Sequence, residues 1–359
     1  MILFDRKAPL APGQCFARGV LGEFAGQGAF AYGRAALLRG LGAIERLKTG
    51  RILLPGFLCR TVADTLRESG ASPVFYPVDE GLEPDWKALA RLHTPDMAGL
   101  MMVHYFGQPQ RVEAFRDFCR SRELLLIEDN AHGYGGRVEE GEMGKLGDLS
   151  ISSPRKTLPI ANGALLWMKE GTILRPEAGG ESLFPARRLV EGALRRAIAT
   201  SPLYRRMRLG SCRYHLQEFR AEAPVGDWGM TASAGAYLAA LNLAEQRKQR
   251  RTVYAIWQAW CGEQGLTPVY ETLHEGALPF VFPAYAKGPE KSRELFKWGY
   301  LNGIDVHSWP DLDSEAAASD PALLDRWHRL VLFPIHHLMD EGELRRRLER
   351  RPFSPSRQA

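Results

Sequence analysis

The strongest constraint on the fold is an alternation of short apolar runs with longer amphipathic stretches. This alternation extends from residue 51 to about residue 170. Short apolar runs are typical of buried strands, and the stretches between them have helical spacing. Strands that alternate with helices pair in parallel, so the pattern predicts a doubly wound α/β domain with a mostly parallel sheet. Strands are predicted at 51–57, 73–79, 99–107, 124–129, 147–153 and 163–171, and helices at 34–48, 61–70 and 110–123.

The second half of the chain has a different character, because long amphipathic stretches predominate over apolar runs. Residues 230–260 are predicted to form one long helix. Short strands are predicted at 278–285 and 330–335, and a charged helix at 340–351. We therefore expect a large α/β domain at residues 1–245 and a smaller α+β domain at residues 246–359, with a disordered tail from residue 352.

Composition limits the classes of function. The chain has 359 residues and 45% hydrophobic content, which is enough for two cores. Its net charge of +5 is too small to favour a nucleic-acid partner. Five scattered cysteines with neither paired nor metal-ligand spacing indicate a reducing cytoplasm and predict no metal site. No apolar run approaches about 18 residues, so we expect a cytoplasmic protein without integral membrane contact.

Two adjacent acids stand at the end of a predicted buried strand. Glu128 and Asp129 follow four aliphatic residues, and ligands of open α/β sheets bind at the carboxyl ends of strands. A buried carboxylate is costly without a partner. The alternative is a surface loop with two solvated acids.

Two further segments offer partners for these acids. Lys156 follows the predicted strand 147–153, so its amine could enter the same crevice, although a lysine after a strand usually faces solvent. Gly33 precedes a predicted helix whose first amides, at Arg34 and Ala35, would favour an anion such as phosphate. Pyridoxal phosphate accounts for all three features, because it needs a lysine, an acid at its ring nitrogen and a helix start for its phosphate.

The segments VHYFGQP (103–109), IEDNAHGYGG (127–136) and GDLSISSPRKTLPIANGALL (147–166) resemble the DegT/DnrJ/StrS sugar aminotransferases, which are pyridoxal phosphate enzymes of fold type I. A weaker likeness extends to GRAAL (33–37) and LFPIHH (332–337). The resemblance implies the fold type I architecture, with a large doubly wound domain and a smaller C-terminal α+β domain, and a homodimer whose active sites form between subunits.

The resemblance also implies a role for each matching residue. Lys156 corresponds to the Schiff-base lysine and Asp129 to the acid that pairs with the ring nitrogen. His132 corresponds to the residue that hydrogen-bonds the ring hydroxyl, and Ala131 would pack under the ring. The phosphate would be bound by Ser153, or by Ser152, together with the amides of Gly33, Arg34 and Ala35.

Three positions depart from the family pattern and mark a divergent member. Cys59 stands where an aromatic residue usually covers the cofactor ring, with Phe57 as a possible substitute. Ile151 stands where a serine is common, five residues before the lysine. Gly229, in VGDWGM (225–230), occupies the place of the arginine that reaches toward the neighbouring subunit.

The expected function is transfer of an amino group from an amino acid, with glutamate the expected donor, to a keto sugar linked to a nucleotide. Lys156 argues against the related dehydratases, which carry histidine instead. Two alternatives stay open: another fold type I lyase or transaminase, and a cofactor-binding protein with a regulatory or scaffolding role.

One arginine-rich segment and two histidine-containing segments can each be interpreted either as functional or as ordinary structural or surface features. Eight arginines between residues 187 and 213 could bind an anionic partner, but a solvated helical face is favoured. The pair His336 and His337, and the segment HSWPDLD (307–313), fall where relatives place loops near the substrate. We assign neither histidine of the pair a catalytic role.

Overall fold

The computed structural model describes residues 26–171, 173–176, 190, 226–350 and 352–353. The strands in chain order are β1 (Gly28–Phe30), β2 (Arg51–Pro55), β3 (Ser72–Tyr76), β4 (Met97–Val103), β5 (Leu125–Asn130), β6 (Arg137–Val138), β7 (Gly141–Glu142), β8 (Leu149–Ser152), β9 (Ala164–Met168), β10 (Thr267–Pro268), β11 (Val281–Tyr285) and β12 (Leu330–Pro334). The helices are α1 (Gly33–Ala43), α2 (Glu45–Lys48), α3 (Arg60–Ser69), α4 (Trp86–Leu92), α5 (Val112–Arg120), α6 (Pro154–Thr157), α7 (Ala232–Ala239), α8 (Leu243–Glu263), α9 (Pro289–Asn302), α10 (Ser314–Ser319), α11 (Pro321–Arg329) and α12 (Glu341–Arg350).

A seven-stranded sheet with the order β1-β9-β8-β5-β4-β2-β3 forms the centre of the first part of the chain. Strands β3, β2, β4, β5 and β8 pair in parallel. Strand β9 runs antiparallel to both of its neighbours, β8 and β1. The predicted α/β architecture with a mostly parallel sheet is therefore confirmed.

Helices cover the sheet in two groups. Helix α1 packs on α3 and on strands β8 and β9. Helices α4 and α5 pack on each other through Trp86 and Phe115, whose ring centroids are 5.0 Å apart. The chain moves from β2 to β3 in one direction and from β4 to β5 in the other. Because parallel crossovers are right-handed, these two moves place their helices on opposite faces of the sheet.

Hydrophobic burial explains why the middle strands are nearly all apolar. Every residue of β4 is buried, as expected for a strand covered on both faces. The smaller sheet, β10-β11-β12, packs against α8, where Trp257 and Phe333 lie 4.8 Å apart. This second core belongs to the C-terminal half of the chain. The domain boundary between residues 245 and 246 stays a prediction.

Two predicted helices are wrong in length because the backbone leaves the helical conformation within them. The helix expected at 34–48 breaks at Ile44, whose backbone is extended, and this break leaves Leu47 fully buried while Glu45 stays exposed. The helix expected at 230–260 breaks before Asn242, whose side chain accepts a hydrogen bond from the amide of Glu245 and starts α8. The end predicted at Gly70 is confirmed, with φ +95° at that residue.

Candidate active site

Glu128 and Asp129 lie in different environments, because neighbouring side chains of a strand point to opposite faces of the sheet. Glu128 is fully buried on the side of β5 that faces the loop 144–147. Asp129 lies on the side that faces Lys156. The Glu128 carboxylate accepts hydrogen bonds from His104 Nε2 at 3.0 Å, from the Ser150 hydroxyl at 2.7 Å, from the Leu146 amide at 2.7 Å and from the Gly144 amide.

The tautomer of His104 follows from its second contact. The amide of Gln110 donates to His104 Nδ1 at 3.0 Å, so the ring proton lies on Nε2 and is donated to Glu128. Burial raises the pKa of Glu128, but the His104 contact and the other donors outweigh it, and the net pKa is lowered. The sequence suggested one site for both acids, whereas Glu128 is a structural acid within the fold.

The lowered pKa of Glu128 predicts a loss of stability in acid. Its carboxylate stabilises the folded state fully above the ordinary glutamate pKa of about 4.3, and this contribution is lost as the pH falls through the lower, folded-state pKa. We therefore expect the free energy of unfolding of the wild type to exceed that of Glu128→Gln by a margin that is constant near neutral pH and shrinks toward pH 3. Urea titrations of both proteins from pH 7 to pH 3 measure this margin. A margin that grows in acid contradicts the assignment.

Asp129 is buried at the carboxyl end of β5 and is only partly satisfied by the protein. Its Oδ1 accepts a hydrogen bond from the Ala131 amide at 2.8 Å. Burial raises the pKa of Asp129, while the Lys156 cation and the Ala131 amide act in the opposite direction, and the net pKa is raised. A buried carboxylate with a raised pKa is suited to receive a positively charged partner.

Lys156 reaches the same place from the one-turn helix α6. Its Nζ lies 3.2 Å from His132 Nε2. Burial lowers the pKa of the Lys156 amine, and the nearby carboxylate of Asp129 opposes this effect. Arg155 also lowers the pKa, which stays below the usual lysine value. An amine with a lowered pKa is more often neutral, and the neutral form is the nucleophile.

His132 is enclosed by aromatic rings. Its imidazole stacks on Phe280, with centroids 4.7 Å apart, and contacts the edge of Trp309 at 5.5 Å. The ring of Phe106 is nearly parallel to the imidazole, with centroids 6.2 Å apart. Burial lowers the pKa of His132 well below its usual value, and electrostatic interactions with Lys156 and His307 lower it further. His132 is therefore neutral and can share a hydrogen bond with the lysine amine.

Sequence reasoning missed the aromatic enclosure. Phe280 and Trp309 come from the C-terminal half, more than 120 residues from Lys156 in sequence. The segment HSWPDLD is recognisable in the sequence, but nothing in one sequence shows that Trp309 and His307 approach His132.

The first turn of α1 and the loop before α6 form a polar cradle. Ser153 is 1% exposed, and its hydroxyl has no hydrogen-bond partner within the described residues. A Cβ added at Gly33 would lie 3.9 Å from the Ser153 hydroxyl, so the start of α1 is close to it. The Tyr32 side chain does not cap this helix, so the amides of Gly33, Arg34 and Ala35 have no capping side chain from that residue.

The two serines before Lys156 are distinguished by their contacts. The Ser152 hydroxyl accepts a hydrogen bond from the Asn130 side chain at 3.1 Å. Ser153 has no such partner, so its hydroxyl is the one that can bind a ligand. Ile151 is buried within β8.

Comparison with known proteins gives a consistent result. The DegT/DnrJ/EryC1/StrS aminotransferase family matches residues 24–175. The dTDP-4-dehydro-2,3,6-trideoxy-D-glucose 4-aminotransferase of Saccharopolyspora spinosa is 26% identical over 322 residues, which cover 87% of this chain and 80% of the relative. The chain is therefore similar to the DegT/DnrJ/EryC1/StrS aminotransferases over residues 24–175, and to this relative over most of its length.

Solved structures show the same fold. Helicobacter pylori PseC, an aminotransferase involved in pseudaminic acid biosynthesis, superposes with a TM-score of 0.70 at 15% identity, covering 96% of this chain and 97% of PseC. NtdA from Bacillus subtilis, solved with bound cofactor PMP, superposes with a TM-score of 0.63 at 14% identity, covering 90% of this chain and 72% of NtdA. The protein therefore has the fold type I architecture of pyridoxal phosphate enzymes.

The match at residues 24–175 and the aminotransferase relatives indicate an aminotransferase that uses pyridoxal phosphate. The side chains of the site fit this cofactor. A buried acid with a raised pKa, a lysine with a lowered pKa and a buried hydroxyl without a partner match the ring nitrogen, the aldehyde and the phosphate in chemical type.

The positions that depart from the family pattern also have a place in the structure. Phe57 is fully buried and stacks on Trp309 with centroids 5.4 Å apart, so it is part of the core. Cys59 is close enough to Lys156 to raise the pKa of its amine. Gly229 forms a β-bridge with Phe30, which lies just before the cradle.

Other predicted features lie apart from this site or outside the described residues. His336 and His337 are both shifted by burial and by the Arg250 cation, with pKa values lowered to about 3 and about 4. The arginine-rich segment 187–213, Val190 excepted, and the tail from residue 354 lie outside the described residues. Within the described ranges, no group of three or more metal-ligating side chains forms, and no helix is long and apolar enough to cross a membrane.

Proposed function

We propose that this protein transfers an amino group from an amino acid, with glutamate as the expected donor, to the keto group of a sugar carried on a nucleoside diphosphate. The family assignment supports amino transfer, and the named substrate of the Saccharopolyspora spinosa relative supports a nucleotide-linked sugar. The observation that carries the proposal is the grouping of Lys156, His132 and Asp129 at the carboxyl ends of β5 and β8.

Each residue of the group has a proposed role. Pyridoxal phosphate, when bound, supplies an aldehyde that carries the amino group and a ring that withdraws electrons from the substrate carbon. Lys156 would hold the cofactor and would move a proton at the substrate carbon. Asp129 would keep the ring nitrogen protonated. His132, as a neutral imidazole, would hydrogen-bond the ring hydroxyl, and Ala131 would pack under the ring.

The cradle of Gly33, Arg34, Ala35 and Ser153 is proposed to bind the cofactor phosphate. The amides at the start of α1 favour an anion, and the buried Ser153 hydroxyl can donate to it. Ser153 lies three residues before Lys156, whose amide donates to the Ser153 carbonyl at 2.9 Å, and Gly33 lies close to the Ser153 hydroxyl. This arrangement suits a cofactor whose phosphate and aldehyde are held at neighbouring points.

A serine exchange tests the phosphate site. A hydrogen bond to a charged group contributes about 1.5–3 kcal/mol, so we expect Ser153→Ala to weaken binding of pyridoxal phosphate by about 10–100-fold. Binding of pyridoxal, which lacks the phosphate, should not change. Equilibrium dialysis with each compound measures the ratio. Ser152→Ala is the matched control, because its hydroxyl already pairs with Asn130. An equal loss for both compounds argues against a phosphate contact.

The function itself is tested by a coupled assay of the purified protein loaded with pyridoxal phosphate. Glutamate and a panel of 3-keto and 4-keto nucleotide sugars are supplied, and formation of an amino sugar and 2-oxoglutarate is followed by mass spectrometry. Sugar amination is the expected outcome. Turnover of amino acids with simple keto acids, without amination of any sugar, would instead favour an amino-acid transaminase.

Two further parts of the proposal concern assembly and location. We propose a homodimer, which the exposed Trp228 beside Gly229 supports, since its side chain is 47% exposed. A cytoplasmic location is supported by the scattered cysteines, of which Cys59, Cys119 and Cys261 are free thiols. Light scattering after size-exclusion chromatography tests the dimer.

A further inference from the structure

Arg250 is a buried cation at the centre of the molecule. Its side chain lies on helix α8 and is fully buried. Among the described residues, no carboxylate forms an ion pair with it. Burial lowers the pKa of its guanidinium to about 10, so the group keeps its charge at neutral pH. A buried charge without a counter-ion is costly, and it persists only where hydrogen bonds compensate it.

Backbone carbonyls from three separate segments compensate the charge. Arg250 donates to the carbonyls of Pro279 at 3.0 Å and Ile335 at 3.4 Å, which lie before β11 and after β12. Its other terminal nitrogen donates to the carbonyl of Thr157. The first two carbonyls flank strands β11 and β12 of the small sheet, whereas Thr157 is the residue directly after Lys156.

The contact at Thr157 matters because α6 is only one turn long. Within it, the Thr157 hydroxyl and the Leu158 amide both donate to the carbonyl of Pro154. A single turn has too few hydrogen bonds of its own to be stable. An external donor at its last carbonyl therefore restricts how the turn, and the lysine on it, can move.

We propose that Arg250 is a positioning residue for Lys156. The Arg250 guanidinium joins the turn that carries the lysine to the segments that flank the small sheet, and thereby holds the Lys156 amine beside His132 and Asp129. The inference rests on the proposed role of Lys156 as the cofactor lysine. A guanidinium suits this position, because its rigid fork can reach three carbonyls at once, and a lysine ammonium cannot reproduce that geometry.

The test compares Arg250 with a structural hydrogen bond nearby. Trp257 lies on the same helix and is fully buried, and it donates from Nε1 to the carbonyl of Pro334 at 2.9 Å, so its hydrogen bond joins α8 to β12 rather than to α6. Arg250→Met and Arg250→Lys are compared with Trp257→Phe. The free energy of unfolding of each protein is measured first. Binding of pyridoxal phosphate is then measured from pH 6 to pH 9, at a temperature where all the variants are folded.

A positioning role predicts different results for the two sites. Because a misplacement of about 1 Å can cost up to about 100-fold, we expect both Arg250 variants to bind pyridoxal phosphate at least about tenfold more weakly and to shift the pH midpoint of attachment. Trp257→Phe should lose stability but keep the wild-type affinity and pH profile. If Arg250→Met does not fold, Arg250→Lys gives the same comparison.

Two results overturn the inference. One is wild-type affinity and pH profile in Arg250→Lys, and the other is an equal loss of affinity in Trp257→Phe. Borohydride reduction and peptide mapping of the wild type separate this failure from failure of the proposed function. Attachment of the cofactor to Lys156 in the wild type supports the proposed function, whatever the results with the Arg250 variants. Attachment to another residue contradicts the proposed function itself.

Discussion

Replacement of Asp129 by asparagine is expected to lower kcat by about 100- to 1000-fold and to leave the fold intact. The exchange keeps the size of the side chain and its acceptor for the Ala131 amide, but it removes the charge proposed to face the ring nitrogen. Loss of one preorganised electrostatic partner has this magnitude in enzymes. Since the pKa of Asp129 is raised by burial, a neutral side chain should also cost the folded protein little.

The adjacent residue gives the opposite expectation. Glu128→Gln leaves donors at the buried carboxylate poorly paired, and breaking a buried charged network costs about 3–5 kcal/mol. Its effect should fall on the free energy of unfolding, with kcat of the folded fraction changed far less. Parallel urea titrations and amino-transfer assays of the two variants measure both quantities.

This pair of variants is a sharp comparison because the residues are neighbours on one strand. A large loss of stability in Asp129→Asn together with normal kcat would show that Asp129 is structural, like Glu128. Equal losses of kcat in both variants would show that the strand as a whole had moved.

Replacement of Lys156 by alanine is expected to have the largest effect on activity. Proton transfer by a positioned side chain contributes about 100- to 10,000-fold, and the covalent hold on the cofactor is lost as well. We therefore expect no borohydride-stable incorporation of pyridoxal phosphate and a loss of amino transfer of at least about this size. Spectra before and after reduction, with mass spectrometry of the peptides, measure the incorporation.

Lys169→Ala is the matched control for this variant. Lys169 lies just after β9 and is exposed, and it pairs with Asp148 at 3.5 Å, away from His132. The Lys169→Ala variant should incorporate the cofactor and catalyse amino transfer at the wild-type rate. Full activity in Lys156→Ala, or incorporation into a different lysine, would remove Lys156 from its proposed role.

The strands of the large sheet could be predicted from the sequence because a buried strand appears as a short run of apolar residues. The apolar runs at β4 and β5 have few alternative structures, and both strands are present, β5 within one residue of its predicted bounds and β4 ending four residues before its predicted end. The helix breaks at Ile44 and before Asn242 were not predictable, since they depend on which side chains reach the core and, at Asn242, on a side-chain cap. Periodicity continues across such breaks, so it cannot locate them.

The candidate site was predictable where its residues are close in sequence or follow a strand end. Asp129, His132 and Lys156 lie near one another in the structure, and their roles stay predictions. The different environment of Glu128 follows from the alternation of side chains along a strand. Arg250, Phe280 and Trp309 could not be found, because they approach the site through contacts between distant segments.

The enclosure of His132 by Phe280 and Trp309 has a consequence for synthesis of the protein. The ribosome completes Lys156 long before it completes these aromatic residues. With about 150 residues between Lys156 and Trp309 and about 5–20 residues added per second, the interval is roughly 8–30 s. During that time the nascent chain contains Lys156 and Asp129 but lacks Phe280 and Trp309. A nascent chain that ends before Phe280 should therefore retain the cofactor less well than the finished protein.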